Sequence, residues 1–147
     1  MQVMVFKING NYYGLDTEFI DEIILRQSLV PAPCGNSCVA GLTDVRGNIY
    51  TCIDLCNVLF NIRSSWSKNQ KFLLTSLDNL LIAYIVDEAV GVYDTDASPV
   101  SSNFVMGMDT NLVVGFTEFR DTLLTLLNLD GVNKISGLRL KQSSRVS

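Results

Sequence analysis

Apolar and polar residues alternate in short runs along most of the chain, which is the period of a half-buried β-strand. Met4, Phe6 and Ile8 alternate with Val3, Val5 and Lys7. Asn9-Gly10-Asn11 is a strong turn signal, so Tyr12 to Leu15 is expected to return as the second arm of a hairpin. Thr17 to Leu25 reads two ways: Thr17 suits the cap of a helical turn, while Ile20, Ile23, Ile24 and Leu25 suit a strand. Pro31 and Pro33 mark an extended connection. Gly41 to Ile53 reads as two strands around a turn at Arg46-Gly47-Asn48, and Asp54 is placed to cap a short helix carrying Leu55, Val58, Leu59 and Phe60. A polar, serine-rich stretch from Arg63 to Gln70 reads as a linker. Strands are then predicted at Phe72–Leu77 and Leu80–Val86, turning at Asp78-Asn79, and at Val90–Tyr93. Asp94 to Asn103, with Pro99, reads as a polar loop. Further strands follow at Phe104–Met108, Leu112–Phe119 and Leu123–Leu127, with a short helix near Asn128–Val132. The polar, basic segment 136–147 is expected to be a mobile tail.

One stretch of this pattern occurs twice. Gly41 to Leu55 reads GLTDVRGNIYTCIDL, and Gly115 to Leu129 reads GFTEFRDTLLTLLNL. The two align without a gap and share glycine, two threonines, arginine and the final leucine. Asp44 matches Glu118 and Asp54 matches Asn128, while most other pairs are apolar on apolar. Repetition at this scale implies two similar halves. Closely spaced strands in two copies imply an all-β fold of two small barrels. Each half is near the size at which a single core is marginal, so the halves are expected to share surface or exchange strands.

Composition narrows the function classes. The chain has 147 residues, 48% hydrophobic and 18% charged, the profile of a globular protein, with a net charge of −4. No basic stripe precedes the last residues, which argues against nucleic acid as the main partner. The start, MQVMVFKING, lacks a signal-peptide layout, and the longest apolar run, Leu80–Val86, is far shorter than the ~20 residues of a membrane helix. These features point to a cytoplasmic protein without direct membrane insertion. There is no histidine, which removes the usual general base, the commonest metal ligand and every Ser-His or Cys-His nucleophile. No phosphate-binding loop or GxSxG motif is present either. These absences do not exclude an enzyme, but they remove most of the signals by which one would be argued.

Three constellations stand out. Cys34-x3-Cys38 and Cys52-x3-Cys56 suggest a metal or redox site, but structural zinc sites more often use a two-residue gap, and cysteine packs readily as a small buried hydrophobe. Asp21-Glu22 and Asp87-Glu88 are adjacent carboxylates; neighbours on a strand face opposite ways, so neither pair can act as an acid–base couple. Arg46 precedes Gly47 at a turn and should project from the barrel. It reads either as a solvated surface charge or as a planar, multi-donor contact for a partner's carboxylates or carbonyls.

The segment Val39-Ala40-Gly41-Leu42-Thr43-Asp44-Val45-Arg46-Gly47, followed by Ile49 and Ile53-Asp54-Leu55, resembles the signature of the CheW family. Pro31-Ala32-Pro33, Tyr13-Gly14-Leu15 with Ile20-Asp21-Glu22-Ile23, and Ile85-Val86-Asp87-Glu88-Ala89-Val90 resemble its flanking elements in order, and Gly115–Leu129 resembles its closing pattern. The resemblance covers residues 3–133 and implies a CheW-like domain at 1–135, built of two five-stranded SH3-like β-barrels around a hydrophobic core, with the linker near 63–70. It also implies a non-enzymatic adaptor without cofactor that links methyl-accepting chemoreceptor cytoplasmic tips to the regulatory domain of a CheA-type histidine kinase, recruited to membrane-associated receptor arrays. By motif match, Ile20, Glu22, Arg46 and Gly47 would face the receptor, and Gly10 and Leu15 would belong to the kinase contact. Asp44 and Thr51 depart from the family's usual asparagine and proline, which bears on partner choice. The alternatives are a related scaffold in another signalling or motility pathway and a cysteine-based metal or redox sensor.

Overall fold

The computed structural model describes residues 1–95 and 111–138. Among these described residues, ten strands and two short helices follow in the order β1 (Gln2–Ile8), β2 (Asn11–Asp16), β3 (Glu22–Leu25), β4 (Val39–Val45), β5 (Asn48–Asp54), α1 (Leu55–Phe60), β6 (Lys71–Leu77), β7 (Leu80–Val86), β8 (Glu88–Asp94), β9 (Val113–Phe119), β10 (Thr122–Leu127) and α2 (Leu129–Ile135). The ambiguous segment 17–25 divides into a 3₁₀ turn at Thr17–Phe19 followed by β3, but the turn is capped by Asp16, whose carboxylate accepts the Glu18 N–H, and not by Thr17. Helix α2 runs three residues beyond the predicted Val132. The strand expected at Phe104–Met108, most of the Pro99 loop and most of the basic tail lie outside the described residues.

Two-residue turns close the hairpins. Asn9-Gly10, Arg46-Gly47, Asp78-Asn79 and Arg120-Asp121 all have positive φ at both positions. That is the type I′ geometry, whose twist matches that of the strands it joins.

Backbone pairing arranges the strands into two five-stranded sheets, β8-β1-β2-β10-β9 and β3-β6-β7-β5-β4. Adding or subtracting five from each strand number turns one order into the other, so the sequence repeat is also a topological one. Each sheet nevertheless draws on both halves of the chain. The β1–β2 hairpin of the first half joins β8, β9 and β10 of the second, and the β6–β7 hairpin joins β3, β4 and β5. The joints are parallel ladders, Thr125 and Leu126 against Tyr13 and Gly14 in one sheet, and Thr51–Asp54 against Ile82–Ile85 in the other. In the second sheet the chain leaving β3 curls back to the opposite edge. Val30 and Leu42 exchange backbone hydrogen bonds of 2.9 and 2.7 Å, joining the chain after β3 to β4.

Side chains from the central hairpins are buried on both faces. On β1, Val3 and Val5 pack with Leu124 and Leu126 inside the first sheet, while Met4, Phe6 and Ile8 face a core lying between the sheets. On β6 and β7, Phe72, Leu74, Ala83 and Ile85 fill the second sheet with Val45, Tyr50 and Cys52, while Leu73, Ile82, Tyr84 and Val86 face the same shared core. Burial on both sides explains why Leu80–Val86 reads as a continuous apolar run rather than an alternation. The repeat places equivalent caps on the helices: Asp54 Oδ1 accepts the Cys56 N–H and Asn128 Oδ1 accepts the Asp130 N–H, each at 3.1 Å.

Candidate partner-binding surface

The Arg46 turn and β3 lie at the two ends of the second sheet, and curling of that sheet brings them together. Asp44 Oδ1 accepts the Gly47 N–H at 2.8 Å and so fixes the turn. An asparagine oxygen could do the same, so Asp44 keeps the turn while adding a negative charge beside it. Across the gap, an Arg46 Nη donates to Glu22 Oε1. Side-chain exposures of 66% for Arg46 and 43% for Glu22 make this a surface ion pair. Such pairs stabilise a fold by only ~0–1 kcal/mol.

The chain before Glu22 is anchored. The Asp21 N–H donates to the Leu74 carbonyl at 2.8 Å, and Ser76 Oγ donates to Asp21 Oδ2 at 2.7 Å. The adjacent acids Asp21 and Glu22 thus have different partners. Ile20 is half-buried against the shared core. Of the four residues assigned by resemblance to a receptor face, Glu22, Arg46 and Gly47 meet at one corner, and Ile20 lies two residues along the chain from it.

An equivalent corner exists on the first sheet with different chemistry. Arg120, the counterpart of Arg46, has the same φ of 51°. Its Nη donates to the Tyr93 hydroxyl on β8 at 2.8 Å, and its guanidinium lies 4.8 Å from the Phe119 ring centroid. Each arginine therefore reaches across to the opposite edge strand. One finds a carboxylate and the other finds aromatic rings. Loss of glycine in the second copy does not change the turn, since Asp121 adopts φ 61°.

Gly10 occupies the exposed β1–β2 turn, held where the Asn9 N–H donates to Asp87 Oδ2 at 2.8 Å. Leu15 is 2% exposed and packs in the shared core, so its side chain supports the hairpin from within and offers no surface to a partner. Thr51 is half-buried on β5 opposite Leu42 and Ile82, at the start of the parallel ladder.

Sequence reasoning missed the role of Gln70. It ends the serine-rich stretch yet is 1% exposed, donating through Nε2 to Asp87 Oδ1 at 3.3 Å and accepting from Arg26 Nη1 at 2.5 Å. The only signal for it was its position directly before an apolar strand.

The cysteines are all free, with Cys34 exposed and Cys38, Cys52 and Cys56 buried. Among the described residues, no three His, Cys, Asp or Glu side chains converge as a metal site. Burial pushes the Cys52 thiol up to about 12, with the Arg26 charge acting weakly the other way. Cys38 and Cys56 are raised by burial and by the Asp54 carboxylate. Burial likewise raises Tyr13 to about 12. A folded-state pKa above the unfolded one favours the fold while the group stays protonated, and that contribution fades as pH rises through the folded value. For Cys52 the window runs from 9.0 to about 12. Thermal melts across that range should show a fall in melting temperature that is shallower in Cys52→Ala. Identical pH profiles for the two proteins would contradict the assignment.

A sequence model of the CheW-like domain matches residues 2–135. The chain belongs to the CheW-like domain family. It is similar to the chemotaxis protein CheW of Helicobacter pylori, with 24% identity over 138 residues, 91% of this chain and 82% of that protein. It is also similar to the chemotaxis protein CheW of Treponema pallidum, with 22% identity over 135 residues, 87% of this chain and 79% of that one. Among solved structures, the scaffolding protein TtCheW from Thermoanaerobacter tengcongensis matches with a TM-score of 0.81 at 23% identity, covering 89% of this chain and 86% of that chain. The likeness establishes a shared fold, and family and fold are those the resemblance implied. CheW-like proteins are scaffolds or adaptors, not enzymes. Among the described residues of this CheW-like chain, no helix is long and apolar enough to cross a membrane.

Proposed function

We propose that this CheW-like protein is a non-enzymatic adaptor that couples the cytoplasmic tips of chemoreceptors to the regulatory domain of a CheA-type histidine kinase. It would act in the cytoplasm and reach membrane-associated arrays through those partners. The observation that carries this reading is the exposed Arg46–Glu22 pair at a fixed turn. A surface pair that adds little to stability, yet holds a guanidinium in a defined pose, suits recognition better than folding. The receptor face consists of Glu22, Arg46 and Gly47 flanked by Ile20, and the turn around Gly10 contributes to the kinase contact. Edge strands offer unpaired backbone groups that a partner can meet, which suits an adaptor without a catalytic pocket.

Reconstitution with a receptor cytoplasmic fragment and a CheA-type kinase tests the reading. Absence of binding to both partners at tens of micromolar protein would sink it. Arg46→Ala is expected to weaken receptor binding about tenfold, or ~1.4 kcal/mol, while moving the melting temperature by less than about 4 °C. A large drop in melting temperature would instead make Arg46 structural.

A further inference from the structure

A second charged feature lies away from the Arg46 corner. A cleft of about 340 Å³ opens between the chain after β3, the start of β4 and the loop after α1, lined by Arg26, Arg63, Ser37, Ser64 and Asp54 among others. Asp54 forms part of its wall but is 3% exposed, with a backbone donor on each oxygen. Its Oδ1 accepts the Cys56 N–H at 3.1 Å and its Oδ2 accepts the Ser64 N–H at 2.9 Å. Neither Arg26 nor Arg63 forms an ion pair with any described residue. The cleft is thus lined by two arginines and one carboxylate whose oxygens already serve backbone donors.

Arg26 is also held in place. Its backbone N–H donates to the Gln70 carbonyl at 3.1 Å and its Nη1 to Gln70 Oε1 at 2.5 Å. Gln70 is buried and held in turn by Asp87, whose other oxygen accepts the Asn9 N–H at 2.8 Å. A chain of hydrogen bonds from the exposed β1–β2 turn through buried Gln70 therefore fixes one arginine at the cleft, while Arg63 stands exposed beside it. Fixed, planar donor groups suit oxyanions, and pre-organisation lowers the cost of binding them. The chain carries −4 overall, so it offers anions no general positive field, and any attraction here must come from the two local arginines.

We propose that the Arg26–Arg63 cleft is a binding site for an oxyanion, a phosphate or a carboxylate. The site is separate from the Arg46 corner and independent of the adaptor reading. Amide NMR titration of the full chain with sodium phosphate, and separately with sodium acetate, tests it against sodium chloride at matched ionic strength. Saturable shifts confined to the amides of Ser37, Arg63 and Ser64 are expected with at least one of the two anions, and comparing them identifies which is preferred. Arg63→Ala should weaken that binding about fivefold or more by removing one charge-assisted donor. The variant should keep its melting temperature, because Arg63 makes no hydrogen bond or ion pair with a described residue. Shifts that match chloride, spread over the whole surface, or persist unchanged in Arg63→Ala would overturn the proposal.

Discussion

Replacing Tyr84 with alanine is expected to cost about 3–5 kcal/mol, the range for truncating a large buried aromatic. Tyr84 is 1% exposed on β7 and belongs to the core between the sheets. Its hydroxyl donates to Asn133 Oδ1 on α2 at 2.6 Å, and Asn133 is itself buried at 5% exposure. The side chain therefore ties the second sheet to the helix that follows the first. Tyr84→Phe isolates the polar part of this link. It keeps the ring but leaves a buried amide oxygen without its donor, which costs about 1–3 kcal/mol. For a domain of this size each kcal/mol moves the melting temperature by roughly 2–4 °C, so Tyr84→Ala should lower it by roughly 6–20 °C. Circular dichroism melts of the two variants would measure both terms. An unchanged melting temperature in Tyr84→Phe would show that the hydrogen bond contributes nothing net.

Gly41→Ala is the second large loss, expected at about 3 kcal/mol from backbone strain together with weakened hydrogen bonds. Gly41 has φ +152°, and a Cβ built there would lie 2.5 Å from the Val30 carbonyl oxygen. That oxygen accepts the Leu42 N–H in the bridge that joins the two edges of the second sheet. The new methyl group must push Val30 away, so the bridge should open. Gly47→Ala gives the comparison: Gly47 also has positive φ, but nothing lies within 4 Å of the added carbon. Thermal melts should rank Gly41→Ala well below Gly47→Ala. Equal stabilities would mean that the bridge does not constrain the sheet.

Most of the strands were legible because the side-chain period of two survives wherever one face meets solvent. The turns were legible where glycine or asparagine marked them. The partner of each strand was not. Thr125 pairs with Tyr13 across more than half of the chain, and backbone hydrogen bonds leave no trace in side-chain order. Arg46-Gly47 in one copy of the repeat is Arg120-Asp121 in the other, yet both adopt the same turn. What separates the copies is the residue that each arginine reaches on the opposite edge, Glu22 or Tyr93. Such a difference depends on residues 24 and 27 positions away, so only family resemblance joined Glu22 to Arg46 beforehand. Leu15 was assigned to a surface by the same route, but a residue flanking a turn can point inward, and here it does.

The exchange of strands between halves also sets an order of completion during synthesis. Once the ribosome has passed Val86, every strand of the β3-β6-β7-β5-β4 sheet exists. The β1–β2 hairpin, already made, still lacks all its neighbours, because β8, β9 and β10 have yet to be made. The β1–β2 hairpin, made before the other described strands, is therefore the last of them to gain its sheet neighbours. Until β10 arrives, its apolar faces depend on the finished sheet alone for cover.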